Sequence, residues 1–203
     1  MTQAAKTVRK REITRADIMP MEAYAEARKE RRAAITALKR NRRVQVGPYA
    51  TFYFENYDTM WQQVHEMLFI ERGGEAQVAD ELDAYNPLIP QGRELVATLM
   101  FEIADARVRQ RTLSSLGHVE DTIELDVGGT IVKAASAEHD TERTNEEGKT
   151  SSVHFLKFPL SDEAIRKFKT PGTRITLGFG HRNYGHLAVV PEPVRAALAE
   201  DLD

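Results

Sequence analysis

The stretch FENYDTMWQQVHEMLFIER, from Phe54 to Arg72, decides how the chain is read, because it holds the only tryptophan and the clearest amphipathic helix. Met60, Trp61, Val64, Met67 and Leu68 recur at steps of three and four residues, which places them on one stripe of an α-helix. Such a stripe must be covered. Asp58 or Thr59 is the expected cap, with Thr59 and Gln62 spaced as a capping box, and Gly73-Gly74 ends the helix.

Working outward, the flanking segments supply what the helix packs on. Upstream, Val44 to Phe54 has the alternating aromatic and β-branched pattern of strands, broken at Gly47-Pro48, where a bulge or sheet edge is expected. A long helix is predicted from Pro20 to about Asn41, with Met21, Tyr24, Ala25, Ile35 and Leu38 apolar and a wet centre of Arg28, Lys29, Glu30, Arg31 and Arg32. Downstream, Val78, Ala79, Leu82 and Tyr85 form a second short stripe, and Leu88-Ile89-Pro90 reads as a packed loop.

From Arg93 the chain turns mostly to strands. Leu95, Ala97, Leu99, Phe101 and Ile103 alternate with Val96, Thr98, Met100 and Glu102, so both faces are mainly apolar and a central strand is predicted. A charged helix follows, from about Ala104 to Leu116. Thr122 to Val127, Gly128-Gly129 and Thr130 to Ala135 give the clearest hairpin signal; pairing Val127 with Thr130 sets Leu125 against Val132 and Glu124 against Lys133. Residues 137–149 read as a long polar loop. Ser152 to Leu160 and Thr173 to Phe179 are further strands around a short helix capped by Ser161, and Pro191 to Leu202 is a C-terminal helix. The predicted class is α+β, with N-terminal helices packed on a largely antiparallel sheet. Residues 1–12 are read as a disordered lead and 13–203 as one domain, with 13–92 mainly helical and 93–203 mainly β.

Composition narrows the function. The chain has 203 residues and no cysteine, which excludes a self-held iron–sulfur cluster, a thiolate nucleophile and a Cys-type zinc site. No apolar run approaches the ~20 residues that cross a bilayer, and the N-terminus lacks the apolar core of a secretory signal, so a cytoplasmic protein is expected. The formal charge of −3 hides an asymmetry. Residues 1–43 carry 13 Lys or Arg against 5 Asp or Glu, a net of +8, and the remaining 160 carry 15 against 26, a net of −11. A basic helix of this kind either compensates its own acidic body or docks an acidic partner, with Arg28, Arg31, Arg32 and Arg40 the candidate contacts. Nucleic acid is the weaker expectation, because no aromatic is interleaved between Arg28 and Arg43.

The loop HRNYGH, His181 to His186, is the most chemically loaded segment: His181, Arg182, Tyr184 and His186 lie between flanking glycines, with His154 on a neighbouring strand. It could bind a ligand or pass protons, although two histidines five residues apart match no strong metal motif and no metal or cofactor is assigned. Glu55 is added to these candidates because it brackets the central helix, and Glu102 because a carboxylate leaving an apolar strand is expected to be buried with a raised pKa. His65-Glu66 lacks the second histidine of a zinc protease, so His65 is read as a boundary residue. No Walker loop, dinucleotide fingerprint or nucleophile elbow is present, and an enzyme is not the favoured reading.

The run ITRADIMPMEAYAEAR, then RRVQVGPYATFYFENYDTMWQQVHEML, ELDAYNPLIPQGRELVATLMFEI and SSVHFLKFPL, resembles the bacterial family DUF3501 over residues 12–202. Tyr57 stands where an arginine is expected after Glu55-Asn56, and residues 139–149 look variable. The resemblance supplies no reaction and no catalytic residues. It implies a bacterial cytosolic protein whose gene lies beside those of a rubrerythrin and an iron–sulfur oxidoreductase of the heterodisulfide-reductase type. On that basis a non-enzymatic accessory protein of such a redox system is expected, with the His181–His186 loop as the alternative site and the basic helix on nucleic acid as a third reading.

Overall fold

The computed structural model describes residues 10–137 and 143–203. Among the described residues nine strands run β1 (Arg43–Val46), β2 (Ala50–Phe54), β3 (Glu94–Phe101), β4 (Ile123–Val127), β5 (Thr130–Lys133), β6 (Ala135–Ser136), β7 (Val153–Pro159), β8 (Ile175–Phe179) and β9 (Leu187–Val189). They form two antiparallel sheets, in the orders β1-β2-β3-β7-β6 and β5-β4-β8-β9. The α-helices are α1 (Met21–Lys39), α2 (Tyr57–Glu71), α3 (Glu75–Tyr85), α4 (Ala106–Ser114), α5 (Asp162–Lys169) and α6 (Glu192–Ala199). The α+β class predicted from the sequence is the observed one.

The layers follow from β3, which is buried along nearly its whole length. Leu95, Ala97, Leu99 and Phe101 point into the main core, where Phe52, Phe54, Leu156 and Phe158 of the five-stranded sheet meet Ile123, Leu125, Ile175, Leu177 and Phe179 of the four-stranded one. Val96, on the other face, joins Met60, Val64 and Leu68 of α2 and Val78 of α3 in a second cluster. The sheet containing β3 is thus the middle layer, with a sheet on one side and helices on the other. The Gly128-Gly129 hairpin has the predicted register, Leu125 opposite Val132 and Glu124 opposite Lys133.

Several local expectations need correction. Helix α2 starts two residues early, because the Asn56 side chain accepts from the Thr59 amide while the Thr59 hydroxyl accepts from the Asn56 amide, a reciprocal box that displaces Asp58 or Thr59 as cap. Pro20 is the N-cap of α1 rather than its first residue. Gly47-Pro48 makes no bulge: it is the turn between β1 and β2, and β1 is the sheet edge. Ala79 is exposed, and Glu81 takes a buried position of α3 instead. Lys10 and Arg11, read as part of the lead, pair with Asp17 and Asp203; residues 1–9 lie outside the described residues. Of the polar loop, 138–142 also lie outside them, but Ala137 and Thr144 are buried, and Thr144 bridges to Thr150.

His65 is no boundary residue. It is fully buried, stacked on Trp61 with ring centroids 3.7 Å apart. Its Nε2 accepts from the Met19 amide at 3.0 Å, so Nδ1 carries the proton and donates to the Trp61 carbonyl at 2.7 Å. The Trp61 indole donates to the Asp17 carbonyl at 2.9 Å, and Tyr24 of α1 packs on both rings. This cluster fixes the chain from Asp17 to Tyr24 on α2.

Burial pushes the His65 pKa below its ordinary value of 6.5. The unfolded chain therefore takes up a proton that the native chain refuses as pH drops below 6.5. His65 contributes fully to stability above that pH, and its contribution is lost as pH falls toward the lower native value. Denaturant unfolding between pH 7.5 and 5 should show this decline in the wild type, and His65→Gln should remove it; an identical slope in both proteins contradicts the neutral buried imidazole.

Candidate functional site

The HRNYGH loop joins β8 to β9, and its tyrosine is structural. Tyr184 is buried, its hydroxyl accepting from the Tyr49 and Ala50 amides at 3.0 Å each and donating to the Val46 carbonyl at 2.9 Å. It therefore ties the β1–β2 turn to the second sheet, and burial raises its pKa. Gly47 has φ +69°, and a Cβ there would lie 2.7 Å from the His186 ring and 2.8 Å from the Tyr184 hydroxyl, so glycine is required on both counts. Arg182 and His186 are exposed, and His181 accepts from the Asn183 amide at 3.2 Å.

His154 does not join this loop. It is buried on β7 opposite Leu99, its Nε2 3.0 Å from the Ser151 carbonyl and 3.1 Å from the Thr150 hydroxyl, with Nδ1 3.8 Å from the Glu120 carboxylate. The Phe101 ring makes edge contacts with both His154 and Tyr184. Among the described residues no three His, Asp or Glu side chains are grouped to hold a metal.

The two carboxylates exchange roles relative to the sequence reading. Glu102 lies exposed beyond the end of β3, accepting from the Tyr53 hydroxyl at 3.0 Å, so the expected burial is wrong: the strand ends one residue before it. Glu55 is the buried one, 5% exposed. Its amide donates to the Val96 carbonyl at 2.8 Å, and its carbonyl accepts from the guanidinium of buried Arg42 at 3.0 Å, which is itself ion-paired with Asp201. Fixed in this way between β2 and α2, Glu55 accepts from the Thr98 hydroxyl at 2.7 Å through Oε1, while Oε2 is buried without a hydrogen-bond partner.

Glu55 and Thr98 line a cavity of about 230 Å³ between the five-stranded sheet and the helices. Sheet register builds its floor: Tyr53, Thr98 and Phe155 form one row across β2, β3 and β7, and Met100 pairs with Val153 in the next. Met60 and Gln63 of α2, Tyr85 of α3 and Lys39 at the end of α1 complete the walls. Sequence reasoning named Glu55 but missed its neighbours. The available signal was parity, since Tyr53 and Glu55 fall on one side of β2 and Thr98 is the lone hydroxyl in the apolar run of β3.

Helix α1 is the third feature. Tyr24 is its single buried residue, and the Tyr24 hydroxyl, Arg28 and Gln62 converge on Glu66 of α2. Arg31 lies over the Trp61 ring at 4.9 Å and Arg28 over Phe69 at 4.7 Å. Of the four predicted contact arginines, two therefore serve the fold. Arg32 and Arg40, with Lys29, are exposed and make no ion pair among the described residues.

These features describe an α+β protein with a helix-covered sheet, a small carboxylate-lined cleft and an exposed basic helix. Residues 12–202 match DUF3501, a family described as proteins of unknown function, and the chain belongs to that family. It is similar to a novel protein of unknown function from Burkholderia pseudomallei solved by crystallography, with 38% identity, a TM-score of 0.86, and 94% of this chain and 99% of that one covered. No curated protein matches the chain.

Tyr184→Phe strands two buried amides and one carbonyl and should cost about 2–4 kcal/mol in urea unfolding. His181→Ala and His186→Ala, at the accessible end of the loop, should each stay within about 0.5 kcal/mol. A Tyr184→Phe protein as stable as wild type would contradict the tie between the sheets.

Proposed function

We propose that the protein is a docking protein without catalytic activity of its own, whose basic helix binds an acidic protein partner. The supporting observation is the disposition of cations on α1. At ~100° per residue, Lys29, Arg32 and Arg40 fall within about 80° of one another and share their face with Thr36. All of them are exposed. Glu22 and Glu26 carry the same face toward the N-terminus, so the cationic part is the C-terminal half of the helix, continued by exposed Arg43. Already folded on a helix, this stripe steers a partner by charge without a large ordering cost.

The family resemblance suggests which partner to test: an iron–sulfur oxidoreductase or a rubrerythrin-type redox protein encoded in the same genome. Nucleic acid is disfavoured by the lack of aromatic side chains among these cations and by the acidic face that precedes them.

Co-purification with either partner should weaken as salt rises from about 0.05 to 0.5 M. The triple variant Lys29→Glu, Arg32→Glu, Arg40→Glu should abolish it with a fall in melting temperature of no more than a few degrees, since none of the three makes an ion pair among the described residues and Arg32 acts on Glu66 only through its charge. Association that survives the triple reversal overturns the docking face. Duplex DNA binding that fails with the same variant, in place of protein binding, would assign the face to nucleic acid.

A further inference from the structure

The Glu55 cleft is independent of the docking face and carries its own inference. We propose that it is a binding site for a small organic cation, a primary amine on an apolar or aromatic body, with Glu55 as the anchor.

An ionised carboxyl group only accepts hydrogen bonds, and here the Thr98 hydroxyl donates to Oε1. Oε2 lacks a donor and is closed off from solvent as the side chain stands, so a ligand in the cavity that Glu55 lines meets it through a small turn of the carboxylate. A buried acceptor left unmet is costly, and a sequence under no other demand replaces it with an apolar residue. The missing partner is a donor, and a charged one gives the strongest hydrogen bond to this group. The walls suit the rest of such a molecule: Tyr53, Tyr85 and Phe155, the last with Arg143 already over its ring at 5.2 Å, provide aromatic surface, and Met60 and Met100 provide thioether and methylene surface. At about 230 Å³ the cavity has room for roughly eight waters, which fits a compact amine and not a nucleotide or flavin. Met100, 36% exposed, is a lining residue that also reaches solvent and serves as the lip.

Among the described residues Lys39 is the only cation that lines the cavity, and it makes no ion pair with Glu55. Its charge separates two ligand classes. For an incoming ammonium Lys39 is a competitor, so removing it tightens binding; for an anion it would be the anchor, and removing it would weaken binding.

The test is an NMR titration of the full chain with benzylamine, using benzoate as the control of opposite charge. Benzylamine should saturate and shift the amides of Tyr53, Thr98 and Tyr85, and benzoate should leave them in place. Glu55→Gln should lower benzylamine affinity by about tenfold or more while the apo protein melts at or above the wild-type temperature. Met100→Trp, filling the lip without touching the carboxylate, should abolish binding in a folded protein, which keeps the test decisive if Glu55→Gln misfolds. Lys39→Ala should bind benzylamine at least as well as wild type. Equal response to benzoate, weaker amine binding in Lys39→Ala, unchanged affinity in Glu55→Gln, or no shift at millimolar benzylamine each overturns the assignment.

Discussion

A β-sheet that is apolar on both faces must be covered on both, and that constraint organises this molecule. Strand β3 alternates Leu95, Ala97, Leu99 and Phe101 with Val96, Thr98 and Met100, so neither side can be left to water. A second sheet satisfies one side and a helical layer built on α2 satisfies the other. The same strand therefore belongs to two cores, and each core contributes to holding the middle layer flat against the other. Between the helices and the sheet, beside the end of β2 and the middle of β3, the polar residues Tyr53, Glu55 and Thr98 replace hydrocarbon and a small cleft remains.

The parts of this arrangement that were legible in the sequence are those set by short-range periodicity. The Gly128-Gly129 hairpin fixed its own register, because turn chemistry and the alternation of apolar side chains agreed. The stripe on α2, the packed Leu88-Ile89-Pro90 segment and the two-faced β3 were visible for the same reason. What could not be read depends on residues far apart in the chain. Gly47-Pro48 looked like a bulge because its true constraint, Tyr184 and His186, lies some 135 residues away. His65 looked peripheral on its helix because the group that buries it is the preceding segment, from Asp17 to Tyr24. The histidine-rich loop attracted attention through composition, yet its central residue serves as a tie between sheets. Glu55 and Glu102, equivalent in a list of acidic residues, are separated by one fact of geometry: the first turns inward at a strand–helix junction and the second lies past a strand end.

Charge divides in a similar way. The excess of Lys and Arg in residues 1–43 is partly consumed by the fold, since Arg28 pairs with Glu66 and Arg42 with Asp201. Buried or stacked arginines of this kind position elements: Arg42 holds the carbonyls of Phe54 and Glu55, and Arg31 covers Trp61. The cations left over on α1 are the ones free to meet another molecule. Helix α1 thus has an anchored N-terminal half and a C-terminal half whose outer face has no structural duty. No helix among the described residues is long and apolar enough to cross a membrane.

Native-state amide exchange measures this hierarchy most directly. If the sheet is the wall shared by two cores and the second half of α1 is held only by half-buried contacts such as Ile35 and Leu38, the amides of β2, β3 and β7 should exchange solely through global unfolding, while those of α1 beyond Lys29 exchange through smaller openings of lower free energy. Protection in the second half of α1 equal to that of β3, or local exchange from the centre of β3, would contradict the account.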